Sequence, residues 1–201
     1  MSEGGDTVPR VRPGRLRETG LLPQLVARVL GRRFGLRPLG LFLVLGRHRP
    51  LFRAWLLFSS RLLRGTVLTR REVELVILRV ATARDCAYEL DHHRRLAGRA
   101  GITDEELDHL RTGSSAPWAA REKVLLQAVE ELHHARDVTD DTWAALRAHF
   151  PERAAIEICL LAGHYELLAT TITTLRLPLD QPRGRVSRTR QVPRETPPPP
   201  P

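Results

Sequence analysis

Cys86, Glu89 and His93 stand three and four residues apart. On a helix that spacing stacks a thiol, a carboxyl and an imidazole along one face. Such a trio can move protons, deliver a nucleophile or hold a metal. Cys86 also falls in the first turn of the expected helix, where free amides and the helix dipole favour a thiolate. Glu74 lies upstream. On one unbroken helix it would be ~18 Å from Cys86, whereas a sharp turn at Arg84-Asp85 would fold two helices face to face and bring it in. An ordinary charged residue is the plainer alternative for Glu74.

A second pattern competes for the same residues. Glu89-Leu-Asp-His92 and Glu130-Glu-Leu-His133 are both Glu-x-x-His, and two such motifs with two more Glu build a di-metal carboxylate site in helical bundles. Glu74 and Glu157 would complete it. That architecture needs long, near-antiparallel helices, and the helix after residue 103 is short. The preferred site is one without metal or cofactor.

The elements that must position these groups are legible. Thr69-Arg-Arg-Glu72 is a capping box, with Val73, Val76, Ile77 and Val80 as an apolar stripe behind it. Asp85 can cap a helix from Cys86 to about Ala100, stopped by Gly101. A second box, Thr103-Asp-Glu-Glu106, opens a short helix that ends at Gly113. Upstream, helices are predicted over Leu22–Arg33 and Pro38–Gly46, and from Pro50 to a stop at Gly65. Downstream they are predicted near 117–136, 140–149 and 152–176. The fold class is all-α, about eight helices with no strand. Tyr88-Glu-Leu recurs as Tyr165-Glu-Leu, and His92-His93 as His133-His134, an echo that duplication of a helical hairpin would explain.

Composition bounds the rest. The 201 residues suit one domain. Residues 1–20 and 177–201 are rich in Arg, Pro and Gly and read as disordered basic tails around a domain at 21–176. The net charge of +9 sits on the flanks: residues 1–37 carry +5, residues 176–201 carry +4, and the middle cancels. A dedicated nucleic-acid binder carries its charge on a folded face, so a nucleic-acid partner is not expected. No apolar run approaches the roughly 18–20 residues of a membrane helix. The polar N-terminus lacks the apolar stretch of a signal peptide, and two cysteines make no disulfide framework. These point to a cytoplasmic protein without a membrane partner. An almost all-Arg basic set fits a GC-rich, bacterial genome. Cys159, inside the apolar Ile156–Ala162 run, is expected to be buried and inert.

The stretch Thr69–Gly101 resembles the core of the carboxymuconolactone decarboxylase and alkylhydroperoxidase-D-like superfamily. Its flanks, from Arg49-Pro50 and Trp55 to Trp118–Leu132 and Thr139–Trp143, resemble the long, cysteine-poor branch with Tyr-Glu before the His. The resemblance implies an alkylhydroperoxidase-D-like helical domain that assembles as a homo-trimer or hexamer. Peroxidase members use Cys-x-x-Cys-x-x-x-His with a Glu twelve residues before the first Cys. Glu74, Cys86 and His93 match that pattern, but Glu89 replaces the second Cys, so the redox disulfide of those members cannot form. The resemblance then implies a small-molecule enzyme using Glu89 and His93 as an acid/base pair, supported by Glu74, for lactone decarboxylation or related proton transfer. Arg79, Tyr88 and His92 are the candidate substrate-binding residues, Arg79 through a bidentate grip on a carboxylate. Tyr88 could instead be a packed aromatic, and Arg79 a salt-bridge partner. Peroxiredoxin-type peroxide reduction through Cys86 is the main alternative. A non-enzymatic oligomeric module, docking acidic partners through its tails, is a further one.

Overall fold

The computed structural model describes residues 8–64, 67–112 and 118–183. The expected stops at Gly65 and Gly113, the first seven residues and the Pro-rich end lie outside them. Ten α-helices form among the described residues, and no strand. They are α1 (Leu16–Thr19), α2 (Leu21–Arg33), α3 (Gly40–Leu45), α4 (Arg49–Arg64), α5 (Arg70–Ala83), α6 (Ala87–Ala97), α7 (Asp104–Thr112), α8 (Ala120–Ala135), α9 (Asp140–His149) and α10 (Glu152–Leu175).

The Thr69 capping box forms. The Glu72 amide donates to Thr69 Oγ1 at 3.2 Å, and the Thr69 amide donates to the Glu72 carboxylate at 2.7 Å. The helix behind it is enclosed more fully than a stripe requires, because α5 is wrapped by α6, α8 and α10. Val73, Val76, Ile77 and Val80 enter the main core, while Leu75 and Leu78 on the other side pack with Ile102, Leu110 and Leu126. Apolar side chains on both faces make α5 the central helix. The Thr103 box also forms, with reciprocal bonds between Thr103 and Glu106.

Residues 8–20 depart from the tail expected there. The Arg10 amide donates to Leu175 O and the Gly14 amide to Leu43 O, both at 3.0 Å. Gln24 Nε2 donates to Gly14 O at 2.9 Å, and Thr19 is buried. Few apolar side chains are involved, so composition could not show this docking; backbone hydrogen bonds carry it. Residues 177–183 also pack against the body. The Arg37 amide donates to Gln181 O and the Arg183 amide to Gly35 O, around a Leu36–Pro182 bridge. This segment straps the α2–α3 connection, so the folded body extends past both expected boundaries.

At 24 residues, α10 is the one described helix long and apolar enough to cross a membrane. Eleven of its residues are buried against the rest of the chain, from Ala154 to Ile172, and it serves as a core helix.

Candidate active site

The site is made by the break between α5 and α6. Asp85 takes a left-handed φ of +47°, which short polar side chains tolerate better than most, and the Cys86 amide donates to Ala81 O at 2.9 Å. Cys86, not Asp85, is therefore the N-cap of α6. The chain reverses and α6 lies along α5. His93 Nδ1 meets Glu74 Oε2 at 2.7 Å. Glu74 is fully buried, and its other oxygen faces Arg70 at 3.3 Å. The second ring nitrogen of His93, Nε2, is 3.3 Å from the Tyr165 hydroxyl of α10.

Glu89 is the anomaly. It is 3 % exposed, and neither carboxyl oxygen has a hydrogen-bond partner. A buried charge without a partner is costly and is relieved by keeping the proton. Burial pushes this carboxyl up to about 8, with the Cys86 thiol only partly countering it. Glu89 is thus protonated at neutral pH. It does not touch His93 through a hydrogen bond, contrary to the contact expected of an acid/base pair. His93 is engaged by Glu74 and Tyr165 instead.

Cys86 departs from the expected thiolate. The amides of Tyr88 and Glu89 do favour the anion, but burial and the neighbouring Glu89 outweigh them and push the thiol up to about 11. Here desolvation beats the helix terminus.

Glu89, His93, Tyr88 and His92 line one cavity of about 430 Å³; Glu74 stands behind His93, and Cys86 is not on the wall. The other walls are largely apolar and aromatic, including Phe34, Phe42, Trp55 and Leu168. Trp55 Nε1, buried there, has no acceptor. Across the cavity Ser59 Oγ and His164 Nε2 pair at 3.1 Å, and burial holds this imidazole down to about 4, so it is neutral. Arg33, Arg64 and Arg70 complete the lining. With Glu89 protonated, the wall bears net positive charge.

Arg79 is not among the lining residues. It forms an ion pair with Glu130 and donates to Leu110 O at 2.7 Å, the salt-bridge alternative. Cys159 is exposed on α10 rather than buried, because α10 is apolar on more faces than the core covers. The di-metal arrangement does not assemble: Glu130 pairs with Arg79, His133 with Glu166 at 2.5 Å, and Glu157 accepts from the Val67 amide. No group of three potential ligands gathers among the described residues. Sequence reasoning missed Tyr165, although the Tyr-Glu-Leu echo marked it. It also missed Arg70, Ser59, His164 and Asp180. Asp180 accepts from Tyr88 and approaches His92 at 2.5 and 3.0 Å.

Residues 49–131 match the model of the carboxymuconolactone decarboxylase family. No curated protein matches the chain. Among solved structures, the chain is similar to an uncharacterized peroxidase-related protein from Silicibacter sp. at 15 % identity, TM-score 0.72, covering 92 % of this chain and 98 % of that one. It is similar to an alkylhydroperoxidase AhpD core protein from Ralstonia eutropha at 16 % identity, TM-score 0.71, over 87 % and 97 %. It is also similar to the debrominase Bmp8 at 15 % identity, TM-score 0.71, over 84 % and 91 %. The fold is shared with all three, and the family match over residues 49–131 includes the Thr69–Gly101 stretch that carries the resemblance.

Proposed function

From the carboxymuconolactone decarboxylase family segment that this chain carries, we propose that the domain is an acid/base enzyme acting on a small, largely apolar anion. The observation that carries this reading is Glu89: a buried, unpartnered carboxyl on a cavity wall, holding its proton to about pH 8. Groups kept in that state are suited to giving a proton to a reacting atom. His93, backed by Glu74, is the complementary base.

In a decarboxylation the carbon–carboxylate bond breaks and carbon dioxide leaves. The electron pair passes into the conjugated system as an enolate, and Glu89 returns a proton to carbon. His93, as the base, takes a proton from solvent and passes it on to the Glu89 carboxylate, which restores the acid. Arg70 takes the role expected of Arg79, as a cation beside charge that moves from carboxylate to enolate oxygen. The unspent Trp55 N–H can donate to the same oxygen. A cytoplasmic setting and homo-oligomeric assembly belong to this reading. Peroxide reduction through Cys86 is disfavoured by a thiol that is buried, off the wall and held up to about 11.

Carboxymuconolactone and tert-butyl hydroperoxide serve as probe substrates. Carbon dioxide release from the lactone is expected, falling ~10²–10⁴-fold in Glu89→Gln and His93→Ala and persisting in Cys86→Ser. Peroxide turnover abolished by Cys86→Ser would replace this reading with the peroxidase one.

A further inference from the structure

Asp180 lies beyond the family segment, in the strap that follows α10, yet its carboxylate is buried in the body with side-chain exposure of 7 %. Its two oxygens do different things. Oδ1 accepts from the Gly40 amide at 2.7 Å, which fixes the strap to the start of α3. Oδ2 accepts from the Tyr88 hydroxyl at 2.5 Å and lies 3.0 Å from His92 Nε2. Tyr88 in turn accepts from the Leu41 amide at 3.3 Å. The His92 ring is held between Tyr88, with centroids 4.7 Å apart, and the edge of Phe34 at 6.3 Å.

We propose that Asp180 is a positioning residue of the cavity: it holds His92 as the Nε2–H tautomer, leaving Nδ1 as the ring nitrogen that meets a ligand. A carboxylate oxygen can only accept, so the nitrogen facing it must carry the proton. His92 and His93 are consecutive residues on one cavity wall, and each is oriented by a buried carboxylate from a different element. Glu74 engages His93 through Nδ1, whereas Asp180 engages His92 through Nε2. The two imidazoles are therefore held by their carboxylates through opposite nitrogens. The strap thus completes the site, since the carboxylate that sets His92 arrives from residue 180. The ligand-binding role of Nδ1 rests on the acid/base reading above; the tautomer itself does not.

Histidine side-chain nitrogen NMR on the full chain tests this without any substrate. Comparison with His92→Gln assigns the His92 signals, and spectra are taken on the alkaline limb of its titration. The proton is expected on Nε2. Asp180→Asn keeps an acceptor for the Gly40 amide but turns an NH₂ toward Tyr88 and His92. His92 Nε2 must then accept, and its proton should move to Nδ1 while the His93 signals stay unchanged. An Nδ1–H tautomer or an even mixture in the unmodified protein overturns the proposal, as does an unshifted tautomer in Asp180→Asn. If that variant fails to fold, the unmodified spectrum alone decides.

Discussion

Glu74 and His93 are nineteen residues apart on separate helices, yet their side chains meet at 2.7 Å through the reversal at Asp85. Glu74→Gln keeps the shape and removes the charge behind the imidazole. A hydrogen bond to a charged group contributes ~1.5–3 kcal/mol, so lactone turnover should fall ~10–10²-fold with little change in KM. Steady-state kinetics check this, and unchanged kcat would deny the couple a role.

Glu89 should make the protein less stable as pH rises. Its carboxyl titrates near 4.5 when unfolded and near 8 when folded, so the native state binds the extra proton between those values and stability falls across that window. Each unit is worth ~1.4 kcal/mol, an upper bound here. Glu89→Gln should melt higher than the unmodified protein at pH 8.5 and nearly equally at pH 4.5. The activity of the unmodified protein should decline through about pH 8 as the proton is lost. A melting gain that does not depend on pH would mean that Glu89 is ionised in the fold.

The two thiols should separate cleanly. Cys159 is exposed, while Cys86 is 1 % exposed and held up to about 11. Iodoacetamide at pH 8 should label one thiol per chain, Cys159 by peptide mapping, and Cys86 only after denaturation. Rapid labelling of Cys86 in the folded protein would restore the thiolate chemistry.

Removing residues 1–20 should destabilise the domain. The lost contacts include the Arg10–Leu175 and Gly14–Leu43 backbone bonds, the Gln24 bond to Gly14 and the burial of Thr19. At ~1 kcal/mol per hydrogen bond, a drop in Tm of at least ~5 °C is expected for a domain this size. An unchanged melt would make the segment a true tail.

Ile156, Leu160 and Leu167 form an exposed apolar face on α10, each at least 47 % exposed. Light scattering at micromolar concentration should find a species of at least twice the chain mass. Ile156→Lys or Leu160→Lys should reduce it to a monomer. A monomeric unmodified chain would deny the expected assembly.

The sequence made the helices and most of the site legible because both are short-range. Spacings of three and four put Glu89 and His93 on one wall, and capping boxes fixed where α5 and α7 begin. What it hid was long-range. Arg79 looked suitable beside the site, but five residues after Glu74 it turns ~140° from that side chain's direction and faces α8. Arg70, one turn before Glu74, shares its face. Asp180 was invisible because its partners Tyr88 and His92 lie about ninety residues away and its neighbours are Pro- and Leu-rich. Cys159 misled because an apolar run on a long helix does not say which of its faces meets the core.

The reversal at Asp85 also decides how the protein can change length. One residue added between Ala83 and Cys86 would advance α6 by ~1.5 Å and rotate it by ~100°, carrying Glu89 and His93 off the wall together. The same insertion between α7 and α8 would touch neither. Within this chain, then, the connection at Asp85 is one that cannot drift, and length variation has to be absorbed where no catalytic register depends on it.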